Sequence, residues 1–272
     1  VKSKDASFYL GHHVQLNRHG TISISAEQTI RDLCTRHNVK YTKETPLPPG
    51  CTPSKLEGAH DPAYVKPMQQ ITGSVSYLAT TVRCDIGHAA STLGQVSHNP
   101  NDKQLAAAKH TLRYLNGTAD LGLQWSIQKE PTRNRVECWV DASYADNKGF
   151  KSQTGYIFML NGAPVSWASK TQRFVSTSST EAEIVAACDA VKECAFIKAL
   201  LNSWNSEEWP CAVNEPIVCL EDNESCINWF DNGLISSRAK HYGTRMYYIR
   251  DQIKKTRLVT FKHVSAKDQR AD

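Results

Sequence analysis

The stretches Val136-Glu137-Cys138-Trp139-Val140-Asp141-Ala142-Ser143-Tyr144 and Ser178-Ser179-Thr180-Glu181-Ala182-Glu183-Ile184-Val185 decide how this chain folds. The first reads as a strand, Val136 to Tyr144, with one carboxylate, Asp141, set in an otherwise apolar run. The second opens a long helix, Ser179 to Trp204. Between them lie strand candidates Gly155 to Leu160, Pro164 to Ser169 and Phe174 to Ser176, with Asn161-Gly162 as one of the short turns. Strand Ile217 to Leu220, helices Glu224 to Phe230 and Lys240 to Lys254, and strand Leu258 to Val264 follow. Consecutive strands on tight turns, then alternating helices and strands, predict an α/β fold whose mixed sheet begins antiparallel.

Upstream, the polar residues 126 to 135 with Pro131 mark a boundary. Met68 to Trp125 carries helical stripes: Ile71, Val75 and Leu78; Ile86, Ala89, Ala90 and Leu93; Leu105, Ala108, Leu112 and Leu115. Residues 46 to 67 hold six of the eleven prolines and read as a linker, the best boundary candidate. Before it, Phe8 to Gly11, His12 to Asn17 and Thr21 to Ile24 suggest a hairpin turning at Arg18-His19-Gly20. A helix capped by Ser25 runs from about Ala26 to His37, with Ile30, Leu33 and Cys34 as its apolar face.

A length of 272 residues with 40% hydrophobic and 22% charged content suffices for one sizeable core or two modest ones. It excludes a disordered tail and a small disulfide-stapled module. The net charge of +5 suits an anionic partner without demanding one. Nine scattered cysteines, with no C-x-x-C, imply reduced thiols and an intracellular protein. No apolar run approaches the ~20 residues of a membrane span and no secretory signal opens the chain, so no membrane partner is expected. The start at Val1 and a helix-opening motif ending at Ala271-Asp272 suggest a piece of a longer chain.

Asp141 and Asp222 each sit on or just after an apolar strand, where a carboxylate is costly unless paired, hydrogen-bonded or bound to a cation. The structural alternatives are a turn residue for Asp141 and a helix N-cap for Asp222. On the long helix, Glu183 falls at the edge of the face made by Ile184, Ala187, Cys188, Val191 and Cys194. Glu181 falls off that face, with Asp189, Lys192 and Glu193, and suits a first-turn interaction with the helix dipole. Asp272 is a fourth carboxylate beyond the last strand. Oxygen ligands without thiolates or histidines at ligand spacing select Mg²⁺ or Mn²⁺ over Zn²⁺, and two such ions carry phosphoryl hydrolysis without a protein nucleophile. Arg238, Lys240, His241 and Arg245 form a basic set at a helix start, either phosphate contacts or a solvated helix end. Lys103, Lys109, Arg113 and Arg83, beside apolar stripes, suit a body that tracks a duplex.

Several motifs in register now carry a family resemblance: Asp141-Ala142-Ser143-Tyr144-Ala145-Asp146, Lys151-Ser152-Gln153-Thr154-Gly155-Tyr156, Val165-Ser166-Trp167, Ser178-Ser179-Thr180-Glu181-Ala182-Glu183, Asp222-Asn223 and Arg238-x-Lys240-His241. Together they resemble the ribonuclease H domain of Ty1/copia-type retrotransposon Pol polyproteins. Phe8-Tyr9-Leu10-Gly11, Gly73-Ser74-Val75-Ser76-Tyr77-Leu78, Arg83-Cys84-Asp85-Ile86 and Leu112-Arg113-Tyr114-Leu115-Asn116-Gly117-Thr118 extend the resemblance upstream into the reverse transcriptase. It implies the end of a polymerase palm, a thumb remnant and a linker over 1–66, a mainly helical connection subdomain over 67–134, and a ribonuclease H domain over 135–272. It further implies Asp141, Glu183, Asp222 and Asp272 as catalytic ligands of Mg²⁺, and cleavage of the RNA strand of an RNA–DNA hybrid during reverse transcription. The partners implied are that hybrid and the upstream polymerase domain, in a cytoplasmic virus-like particle or the nucleus. Two departures stand out. The mobile histidine that relatives carry before the last aspartate is missing, with only His263 and Ser265 nearby, and no Tyr-x-Asp-Asp polymerase motif is present. A non-catalytic nucleic-acid-binding scaffold is the alternative reading.

Overall fold

The structure, a computed structural model, describes residues 7–16, 21–52, 58–125, 135–207, 211–232 and 240–272, the side chains of Asn232, Lys240 and His241 excepted. The chain forms two compact units, Val1–Ile127 and Gln128–Asp272.

In the first unit, strands β1 (Phe8–Tyr9), β2 (His12–Leu16) and β3 (Ile22–Ser25) are antiparallel, Val14 opposite Ile24. The turn predicted at Arg18-His19-Gly20 lies outside the described residues. Helix α1 (Glu27–Arg36) buries Ile30, Leu33 and Cys34 as its periodicity predicts. Ser25 does not cap it: the N-cap is Ala26, without a side-chain hydrogen bond, because Ser25 is still paired to His13 in the ladder. Helices α2 (Val65–Thr81), α3 (Gly87–Val96) and α4 (Asp102–Gly117) follow, the last opened by a capping box between Asn101 and Gln104.

The last helix ends at Gly117, where Asn116-Gly117 is expected to stop it, but the rest of the stretch up to Trp125, read within the helical region, holds a strand. Gly122–Trp125 is strand β4, antiparallel to β3, with Leu123 alone buried between exposed neighbours. Four residues are too few for their alternation to outweigh the preceding helical pattern. A Cβ on Gly122 would lie 2.3 Å from the Ile24 carbonyl oxygen. Gly122→Ala should therefore force β3 and β4 apart and cost about 1–3 kcal/mol, as overpacking does, measured as the shift of this unit's unfolding midpoint in urea. Described residues of the proline-rich stretch meet α4 and the turn before it, with Thr111 Oγ1 donating to Pro46 O at 2.9 Å and Asp61 N donating to Pro100 O at 3.1 Å.

Arg83 corrects the duplex-tracking set. It is 1% exposed, and its guanidinium donates to both Asp85 carboxylate oxygens and to the Thr118 carbonyl and hydroxyl, with Tyr114 donating to the same Asp85. A guanidinium so fully used clamps the α2–α3 junction to the end of α4 and offers nothing to a phosphate.

The second unit holds a five-stranded sheet in the order β7-β6-β5-β8-β9, comprising β5 (Val136–Ser143), β6 (Gln153–Leu160), β7 (Ala163–Thr171), β8 (Ile217–Glu221) and β9 (Val259–His263). β5, β6 and β7 are antiparallel; β8 and β9 join parallel to β5. Helix α5 (Ser179–Trp204) covers one face, burying Ala182, Ile184, Ala186 and Val191 among Cys138, Val140, Phe158 and Cys219. Helices α6 (Glu224–Asn232) and α7 (Lys240–Lys254) add Phe230, Met246 and Ile249 to this core. Three antiparallel strands followed by two parallel ones beneath a long helix make a ribonuclease H-like fold. The strand expected at Phe174 to Ser176 is irregular instead. There side chains tie the segment to α5: Gln172 Nε2 donates to the Ala182 carbonyl at 2.9 Å, and Ser176 Oγ donates to Gln172 Oε1 at 2.9 Å.

Candidate active site

Strand register brings the carboxylates together. β5 and β8 are parallel with Trp139 opposite Leu220, so Asp141 and Asp222, each two residues further on, emerge at the same end of the sheet. α5 begins above that end. Ser178 caps it by accepting a hydrogen bond from Glu181 N at 3.1 Å, which fixes the first turn and aims Glu183 downward. One carboxylate oxygen from each of Asp141, Glu183 and Asp222 lies within 4.8 Å of the others. Among the described residues this is the one such group of potential ligands.

Both structural alternatives fall away. Asn223, rather than Asp222, caps α6, its Oδ1 accepting from Cys226 N at 3.0 Å. Asp141 lies in the ladder opposite Gly155, not in a turn. Its carboxyl is raised to about 6, by burial first and then by the charges of Asp222 and Asp272. Glu183, 6% exposed with no hydrogen-bond partner for Oε2, is pushed far up by burial and by Glu221, Asp141 and Asp222 in turn. Oxygens this close and this short of cationic partners match the donor set of a hard divalent ion. The residues present therefore fit Mg²⁺ or Mn²⁺.

Asp272 is exposed and stands outside the group of three, yet close enough to raise Asp141. The terminal segment is laid along the sheet by Gln269 Nε2, which donates to Val140 O at 3.0 Å. The Ala271 carbonyl passes so close to Gly155 that a Cβ there would approach to 2.7 Å.

The expectation for Glu181 needs correction. It is 3% exposed rather than on a solvated face, because the segment before α5 folds over it; its Oε2 accepts from Thr177 N at 2.6 Å and Thr177 Oγ1 at 2.8 Å. It is a buried first-turn acceptor. Glu181→Gln should cost about 1 kcal/mol of stability through the weakened charge-assisted bonds and lower any hydrolytic rate less than about threefold, as read by thermal unfolding alongside single-turnover cleavage. A larger loss of rate at unchanged stability would transfer the ligand role to Glu181.

Of the basic set, Arg238 lies outside the described residues, and Lys240 and His241 open α7 with side chains outside the description. Arg245 stacks over Phe174, its guanidinium carbon 4.7 Å from the ring centroid. Arg270 stands likewise 4.6 Å over Trp139, two residues before Asp141 on β5, and was not among the residues expected. Neither was Glu221. It is fully buried on β8, with Oε1 accepting from Asn223 N at 3.2 Å and Oε2 without a partner. Its alternation with Ile217 and Cys219 was the signal that could have found it.

Fold and acidic cluster together define a ribonuclease H-like protein. The chain is 34% identical over 256 residues to the retrovirus-related Pol polyprotein from transposon RE1 of Arabidopsis thaliana, covering 92% of this chain and 17% of that protein. It is 32% identical over 272 residues to the corresponding polyprotein from transposon RE2, covering 99% of this chain and 18% of that one. The chain is thus homologous to retrovirus-related Pol polyproteins of copia-type transposons, and it spans under a fifth of the length of these relatives. No protein-family model matches it. A solved structure, LC11-RNase H1 isolated from compost, aligns at 14% identity with a TM-score of 0.38 over 51% of this chain and 91% of its own.

Proposed function

We propose that the second unit is a metal-dependent ribonuclease H that hydrolyses the RNA strand of RNA–DNA hybrids during retrotransposon reverse transcription. The observation that carries this reading is the convergence of Asp141, Glu183 and Asp222 within 4.8 Å at the C-terminal ends of two parallel strands. Asp141, Glu183 and Asp222 would hold the ions, with Asp272 joining from the terminal segment beside Asp141. When bound, a pair of Mg²⁺ or Mn²⁺ ions supplies charge stabilisation at the scissile phosphate and a water made acidic enough to attack it. The chain's own part is to keep the carboxylate oxygens close and rigid: the cap at Ser178 fixes Glu183, the ladder fixes Asp141, and Asn223 frees Asp222.

Arg238, Lys240, His241 and Arg245 would meet backbone phosphates, and 2′-hydroxyls in the shallow minor groove would distinguish the RNA strand. The same reading makes the first unit the palm end, thumb and connection of the polymerase part, with a virus-like particle in the cytoplasm, or the nucleus, as the setting. A labelled hybrid incubated with the full chain should be cut in Mg²⁺, leaving 5′-phosphate and 3′-hydroxyl ends, while RNA or DNA duplexes stay intact. Undiminished cutting in excess chelator, or tight hybrid binding with no cutting in either metal, would replace this reading with another nuclease chemistry or a binding scaffold.

A further inference from the structure

We propose that Glu221 is a further acidic group of the cation site, lending its charge from its buried place at the end of β8, next to Asp222, so that the site binds a hard divalent ion more tightly than its three strand-end and helix carboxylates would alone. The inference rests on the proposed metal site and deepens it. β8 alternates, and Ile217, Cys219 and Glu221 all turn to the face that α5 covers. The first two fill the core as apolar or thiol side chains do; the third puts a carboxylate there, 0% exposed.

A buried carboxylate is retained in a fold only if its oxygens are satisfied. Here one is and one is not: Asn223 N serves Oε1, whereas Oε2 meets no donor, and among the described residues no Lys, Arg or His forms an ion pair with it. Glu183 Oε2 is unpartnered in the same way, and Glu221 is the strongest charged neighbour that Glu183 has, ahead of Asp141 and Asp222. Two unpartnered buried oxygens of like charge, beside two further carboxylates, lack a positive partner. A hard cation held by Glu183, Asp141 and Asp222 is the partner that this oxygen-only surrounding selects. Glu221 stands outside the group of three mutually close ligand atoms, so its contribution is charge rather than a place in that group.

Mn²⁺ binding to the full chain, followed by electron paramagnetic resonance and by calorimetry, tests this without reference to turnover. Glu221→Gln keeps the acceptor for Asn223 N and removes the charge. It should weaken Mn²⁺ binding about tenfold, the lower end of what outer partners of metal ligands contribute, while the metal-free protein melts at the same or a higher temperature. Glu221→Asp retains the charge one methylene further back and should fall between the two, which also covers the case of a Gln variant that does not fold. Equal Mn²⁺ affinity in wild type and Glu221→Gln would overturn the inference while leaving the three-carboxylate site standing. No Mn²⁺ binding by the wild type would overturn both.

Discussion

Glu183→Gln should reduce Mg²⁺-dependent hybrid cleavage by more than about 10³-fold while leaving the second unit folded and, in chelator, more stable than wild type. The amide matches the carboxylate in size and keeps the helix register, so the packing of α5 on β5 persists. What disappears is the charge. Partners that merely orient a metal ligand contribute 10- to 100-fold to affinity or activity, and an oxygen that joins Asp141 and Asp222 within 4.8 Å contributes more. Stability moves the opposite way because the wild-type side chain is a buried carboxylate with an unpartnered oxygen among three like charges. Single-turnover kinetics and calorimetry on the same preparation separate the two effects. A rate within tenfold of wild type would remove Glu183 from the site. Loss of rate with loss of folding would reduce it to a structural residue.

The contrast between Glu181 and Glu183 shows how far sequence could be read. Helical periodicity assigned Glu183 to the buried edge, and the structure brings it to Asp141 and Asp222. The same periodicity misjudged Glu181, because α5 is covered on more than one side, from Glu181 through Cys188 without an exposed residue. A stripe argument presumes one solvated face. Strand existence was legible for β5 through β9 because runs such as Val136 to Ser143 are long and rich in apolar residues. It failed for β4, where four residues gain their conformation only from pairing with β3. Register was not legible at all, and register is what sets Asp141 beside Asp222. Glu221 escaped for a related reason: next to Asp222 it resembles one more acid in a strand-to-helix turn, and only the inward alternation of β8 shows that it is buried.

In chelator, the melting temperature of the second unit should fall as pH rises from about 5 to 8, and millimolar Mg²⁺ should restore it at pH 8 far more than at pH 5. A carboxyl whose folded pKa is raised, Asp141 from 3.8 to about 6, leaves the folded chain holding more protons than the unfolded chain between those values. Stability present at acid pH is then lost as pH climbs through that window, at most about 3 kcal/mol for a shift of this size. Glu183 and Glu221 are shifted in the same direction and further, so the decline continues through neutrality. A cation bound to the ionised carboxylates reverses it, by about 2.7 kcal/mol when its concentration is a hundred times its dissociation constant. The first unit supplies an internal contrast. His12, His37 and His110 are held below the usual histidine range by burial, so their contribution strengthens as pH rises through the same region. Two transitions in one calorimetric trace should therefore move in opposite directions with pH, and only the one belonging to the carboxylate unit should respond to Mg²⁺. A metal-free second-unit transition that rises from pH 5 to 8, or a Mg²⁺ shift equal at both ends, would mean that Asp141, Glu183 and Glu221 do not share the buried, like-charged pocket that makes this end of the sheet a cation site.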